Sequence, residues 1–162
     1  MTPGPTEQPF DTRIAYLDAV DAVIAAARHE LCAFDGDLKQ ADIEAPNRAT
    51  ALAAFLGGGR DRTLRIVVHD VAHLERDCPR FGVLLRRFGH AIQVRQSPEN
   101  LRHLADCFLL ADEAGAAIRF HADHFRGKLL LDSAEGLTGW KRRFEDLWVE
   151  SSPALAPTRL GL

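Results

Sequence analysis

Imidazoles and carboxylates fall together at two places in this sequence. His69-Asp70-x-x-His73 and His121-x-Asp123-His124 combine residue types that hold metal ions or move protons. Neither has the spacing of an established motif such as H-E-x-x-H. The first set straddles the end of an apolar run and the start of a helical pattern, so its side chains need not converge. The second lies in a loop. No metal site is expected. Gly57-Gly58-Gly59 is not a phosphate cradle either. Such loops follow a strand and open a helix, whereas these glycines follow a helical pattern and precede a strand. No G-x-S-x-G elbow is present, and no Ser-His-Asp or Cys-His arrangement is signalled locally. No cofactor is implied.

The elements that must position these residues alternate. Residues 1–9 are rich in Pro, Thr and Gly and read as a flexible N-terminal tail. Residues 10–29 carry Ile14, Leu17, Val20, Val23 and Ile24 at helical spacing. Residues 30–35 are a short apolar run ending in acid, the pattern of a buried strand. Residues 45–56 form a second helix, with Pro46 in its first turn and glycines to stop it. Residues 63–70 are β-branched and apolar, the clearest strand in the chain. Residues 71–89 are helical with a break or restart at Pro79, because an interior proline loses a backbone hydrogen bond. Strands at 91–95 and 106–112 follow, separated by a short helix at 98–104. A turn at 113–115 leads to a returning strand at 116–120, and residues 128–131 add another strand. The last helix spans 135–149, and a Pro-containing tail covers 151–162. This order predicts one α/β domain over residues 10–150. Its sheet is mixed and mainly parallel, with helices on both faces and an antiparallel edge.

In open α/β sheets, ligands bind beyond the carboxyl ends of the strands. Here those ends carry Asp35, Asp37, His69, Asp70, Arg95 and Asp112, which makes them the expected binding rim. A plainer role competes with this one. Aspartate after a strand often caps the next helix or turn, and Asp70 before Val71-Ala72 could do so unaided.

Composition bounds the partners. Hydrophobic residues at 46% and charged residues at 27% describe a globular chain of 162 residues. The net charge of -3 exerts no global pull on nucleic acid. Residues 1–62 hold 6 basic and 10 acidic groups, while residues 63–105 hold 7 basic and 4 acidic ones. The basic centre could attract an anionic ligand, but a solvated arginine-rich helix face is the favoured account of it. Cys32, Cys78 and Cys107 are far apart and read as reduced thiols. The N-terminus lacks a signal-peptide pattern, and no apolar run approaches the length of a membrane helix. A cytoplasmic protein is expected, with no membrane partner.

The closing third of the sequence resembles the phospholipase D family. Residues 107–118, Cys-Phe-Leu-Leu-Ala-Asp-Glu-Ala-Gly-Ala-Ala-Ile, are similar to its strand, acidic turn and returning strand. Residues 140–148 are similar to its terminal helix, which places Phe144 four residues before Trp148. The resemblance covers residues 10–150 and extends to an uncharacterised bacterial subgroup. Active members of the family carry H-x-K-x-x-x-x-D. With Asp112 as the Asp, Ala105 stands at the His position and Cys107 at the Lys position. Without an imidazole there is no phosphohistidine intermediate, so the resemblance implies a degenerate active site. His103 shares the face of Ala105 on an extended chain but is displaced by about 7 Å. A second register, His124-x-Arg126 with Asp132, is one residue too long.

The expectation is a non-catalytic phospholipase D-like module for binding or assembly. Its candidate ligand residues are Asp35, Asp37, His69, Asp70, Arg95, His103 and Asp112. Two alternatives remain. One is an enzyme acting on a phosphorylated substrate through Asp35 and Asp70 with His69 or His103. The other, less favoured, is a nucleic-acid accessory protein using Arg86, Arg87, Arg95 and Arg102. A homodimer is also expected, because catalytic relatives build one site from two such halves. Facing rims would put Asp112 near the twofold axis.

Overall fold

Alternation along Glu30–Asp35 sends Leu31 and Ala33 to one side of a sheet and Cys32 and Phe34 to the other. That period of two, repeated along the chain, requires cover on both faces. The computed structural model, which describes residues 5–112 and 114–155, provides it. In chain order the elements are β1 (Thr6–Phe10), α1 (Arg13–Ala26), β2 (Glu30–Asp35), α2 (Pro46–Gly57), β3 (Thr63–Val68), α3 (Ala72–Arg76), α4 (Pro79–Arg87) and β4 (Ile92–Gln96). There follow β5 (Cys107–Ala111), β6 (Gly115–Arg119), β7 (Gly127–Leu131), α5 (Ala134–Glu150) and β8 (Ser152–Leu155).

The strands form one sheet in the order β1-β7-β6-β5-β2-β3-β4-β8. It is mixed and has helices on both faces, as expected. Parallel pairing is confined to β2, β3 and β4, and every other neighbour runs antiparallel. Helix α1 packs across β5, β6 and β7, and α2 and α4 continue that layer. Val20, Val23, Leu31, Ile66, Val68, Phe81 and Leu85 fill its core. Helix α5 covers β2, β5 and β6 on the other face with Leu137, Phe144, Leu147 and Trp148.

Local chemistry sets the boundaries. Thr12 Oγ1 accepts the Ala15 N–H at 3.1 Å and caps α1. The helical stretch expected at 71–89 is divided. α3 ends at Arg76, and α4 begins at Pro79, where the missing N–H leaves no hydrogen bond unmade. The Glu44 carboxylate accepts the next two N–H groups of α4, from Arg80 at 2.7 Å and Phe81 at 3.3 Å.

Thr6 to Pro9, expected in the tail, instead pair with β7. Phe10 is the buried anchor of that strand. Its ring lies over Gly127, where an added Cβ would stand 2.6 Å from the ring and 1.9 Å from the Ile118 carbonyl. Only glycine permits this approach. Part of the expected C-terminal tail forms β8 against β4. Residues 1–4 and 156–162 of the two tails, and Glu113 in the turn, lie outside the described residues.

Candidate functional site

The antiparallel pairing of β5 with β2 decides what shares the rim. It brings the start of β5, not its end, to the carboxyl end of β2, with Phe34 opposite Phe108. The end of β6 arrives at the same place, with Arg119 opposite Cys107. Asp35, Cys107 and Arg119 share the face of Ala33, Leu109 and Ala117, the face that α1 covers. They meet beneath the rim.

Arg119 ends an apolar strand and is 2% exposed. Its Nη2 lies 3.5 Å from the Asp35 carboxylate and 3.5 Å from the Cys107 sulfur. Nη1 donates to the carbonyls of Ala122 at 2.9 Å and His124 at 3.4 Å, which ties down the loop between β6 and β7. The rings of Tyr16 and Phe125 flank the guanidinium at 5.1 and 5.7 Å. Nε has no hydrogen-bond partner among the described residues. Asp35 Oδ1 accepts the N–H groups of Leu38 at 3.2 Å and Asp37 at 3.3 Å.

Burial raises the Asp35 carboxyl above its ordinary range, against the opposing pull of the Arg119 charge and the two N–H groups. Burial alone would lower Arg119, but Cys107, Asp35 and Tyr16 hold it up, so the guanidinium stays charged. Burial also pushes the Cys107 thiol up to about 12 and the Tyr16 phenol above its usual value. Neither is available as an anion near neutral pH.

The other expected residues are occupied locally. His69 Nε2 donates to the Leu104 carbonyl at 2.8 Å, because a carbonyl only accepts. Nδ1 shares a hydrogen bond with Ser97 Oγ at 2.5 Å. Both ring nitrogens are used, and the ring is set edge-on against Phe34. Asp70 Oδ1 accepts the Ala72 N–H at 2.8 Å, the plainer capping role. Asp37 Oδ1 accepts the Lys39 N–H at 2.9 Å. Arg95 points to the α5 face, where it donates to the Trp148 carbonyl at 2.8 Å and stacks 4.0 Å from that ring. His103 is exposed. His73 turns to Asp77, not His69, at 3.3 Å. His121 and His124 each accept a backbone N–H of their own loop. Among the described residues, no group of three or more His, Cys, Asp or Glu side chains could hold a metal ion.

Asp112 corrects the expected rim. β5 runs against β2, so Asp112 lies at the opposite end of the sheet. With φ at 45° it turns the chain towards β6. Its carboxylate accepts the backbone N–H groups of Arg28 at 2.5 Å, His29 at 3.0 Å and Glu30. It caps the start of β2, and facing rims could not bring it to a twofold axis. Arg119 and Tyr16, in turn, were not among the expected site residues. The signal for Arg119 was present, as a charge closing the apolar run Ala116-Ala117-Ile118.

A family model described as Domain of unknown function (DUF7931) matches residues 12–158. The chain belongs to the DUF7931 family. No curated protein matches its sequence. Its fold is that of the phospholipase D family. Nuc from Salmonella typhimurium, a member of that family, superposes with a TM-score of 0.60 at 15% identity over 94% of this chain and 99% of Nuc. NucT from Helicobacter pylori gives 0.61 at 12% identity over 93% and 99%. The archaeal chromatin protein TrmBL2 gives 0.67 at 10% identity, over 91% of this chain and 54% of that one. At these identities the likeness is one of fold. No helix among the described residues of this DUF7931 chain is long and apolar enough to cross a membrane.

Proposed function

We propose that this DUF7931 domain is a non-catalytic phospholipase D-like module for binding or assembly. The observation that carries the reading is the Arg119–Asp35 pair beside Cys107. Cys107 stands where the resemblance puts the catalytic lysine, and a buried arginine from the neighbouring strand occupies the adjoining space. The carboxylate that faces it is held by backbone N–H groups. Ala105 supplies no nucleophile, and a Cys107 thiol at such a pKa supplies none either. His69 has no free nitrogen to act as a base. The phosphorylated-substrate alternative draws less support, since Asp35, Asp70 and His69 are each engaged locally and His103 is the imidazole left to it. The reading includes pairing of the chain with a second copy, since twofold dimers are the commonest oligomers.

The test is turnover of bis-p-nitrophenyl phosphate and of plasmid DNA by the purified protein. No turnover is expected. Hydrolysis that disappears in His103→Ala would overturn the reading, because His103 is the exposed imidazole nearest in sequence to Ala105.

The DNA binding of the chromatin protein TrmBL2, which shares the fold, favours nucleic acid as a second reading. Of the four arginines expected to serve it, Arg95 is committed to Trp148. Arg86, Arg87 and Arg102 remain exposed. Duplex DNA binding that weakens steeply with salt, and weakens again in an Arg86→Ala/Arg87→Ala protein, would support this second reading.

A further inference from the structure

The outward face of α5 carries an unusual stripe. Gly139, Arg142, Asp146 and Val149 follow one another at intervals of three and four residues, so they lie on one side of the helix. All four are exposed, while Leu137, Phe144, Leu147 and Trp148 bury the opposite side. Val149 is 71% exposed, a large apolar side chain with no cover among the described residues. At Gly139, nothing among the described residues lies within 4 Å of the position a Cβ would take, which leaves an open notch. Arg142 and Asp146 are neighbours on the stripe, yet neither forms an ion pair among the described residues. The stripe lines an open groove of about 500 Å³ together with Leu101, Leu104 and Leu147.

We infer that this face docks the same face of a second copy of the chain, with the two α5 helices antiparallel. This rests on the proposed reading of the chain as an assembly module and names the surface it uses. In an antiparallel pair with its twofold axis level with position 144, residues equally distant from that position face each other. Arg142 then faces Asp146 of the second copy, and the contact occurs twice. Val149 faces Gly139 of the second copy, where a large apolar side chain meets the notch. Both matches come from one register. A twofold interface must be self-complementary in this way, with residue i meeting j and j meeting i. The distance from Gly139 to Val149, about 15 Å at 1.5 Å rise per residue, spans nearly three turns of contact. Glycine lets the helices come close, and ridge-into-groove packing can follow. The occupant is a second copy and not an unrelated helix, because the stripe carries its own charge complement in the required order.

The test is light scattering on the full chain at micromolar concentration, on wild type and three exposed-site variants. Wild type is expected to be a dimer. Asp146→Arg places like charges opposite each other and should weaken the dimer by about tenfold or more. Adding Arg142→Asp to it restores the complement and should restore the dimer. Val149→Glu should give a monomer with an unchanged circular dichroism spectrum. An Arg142→Cys/Asp146→Cys protein should form an intermolecular disulfide on oxidation, with buried Cys32, Cys78 and Cys107 not competing. A wild-type monomer would overturn both this interface and the self-association in the proposed function. A dimer indifferent to Asp146→Arg and Val149→Glu would overturn the α5 interface alone. Neither outcome bears on phosphodiesterase activity, which tests the non-catalytic reading separately.

Discussion

Arg119 Nη2 stands 3.5 Å from the carboxylate of Asp35, and both side chains are buried. One residue closes β6 and the other closes β2, with β5 between them. The pair joins strands that are not neighbours and anchors the 120–126 loop through the carbonyls that Arg119 holds.

Arg119→Met should destabilise the protein strongly, because it leaves the Asp35 carboxylate buried without its cation. Breaking a buried pair from one side typically costs about 3–5 kcal/mol. Asp35→Asn in the Arg119→Met background should recover part of that loss, since it removes the stranded charge. Chemical denaturation of the two variants measures this. Equal midpoints would show that the pair does not act as a unit.

The pH dependence follows from Asp35. Its folded-state carboxyl is raised above the ordinary 3.8, chiefly by burial. A raised acid binds more protons folded than unfolded, so its contribution is fully present below 3.8 and is lost as pH rises through the folded value. The stability of wild type relative to Asp35→Asn should therefore fall as pH rises from that point. In Arg119→Met the decline should reach higher pH, because the opposing positive charge is gone. Denaturation midpoints across pH test the sign, and a difference that grows with pH would contradict it.

Trp148 receives two cations on its ring, Arg65 at 5.2 Å and Arg95 at 4.0 Å, and stacks on Phe144. Trp148→Ala should cost about 3–5 kcal/mol, the usual range for a buried aromatic. For a domain of this size that is a fall in Tm of about 6–20 °C. An unchanged Tm would mean that α5 does not depend on this packing.

Asp112→Ala should destabilise more than Asp112→Asn. The carboxylate satisfies three consecutive backbone donors at the start of β2, and an amide oxygen keeps part of that role. Asparagine also tolerates the positive φ of this position, whereas alanine does not. The site is partly open to water, so the Ala cost should be near the lower end of about 1–3 kcal/mol per lost acceptor. Thermal melts of the two variants give the order.

The local parts of this protein were legible in the residues themselves. Periodicity marked β3, α1 and α5. Pro79 marked the break between α3 and α4, and Asp70 before a helical pattern marked a cap. These depend on interactions within a few residues, so local composition determines them. The rim was not legible, because it depends on strand direction. Alternation shows which face a strand residue takes, but not whether that strand runs up or down its neighbour. Only the antiparallel pairing of β5 with β2 moved Asp112 away from Asp35 and brought Cys107 and Arg119 in its place. The fate of His69 was hidden for a related reason. Its two partners, Ser97 and Leu104, lie 28 and 35 residues along the chain, and only the folded sheet brings them to the ring.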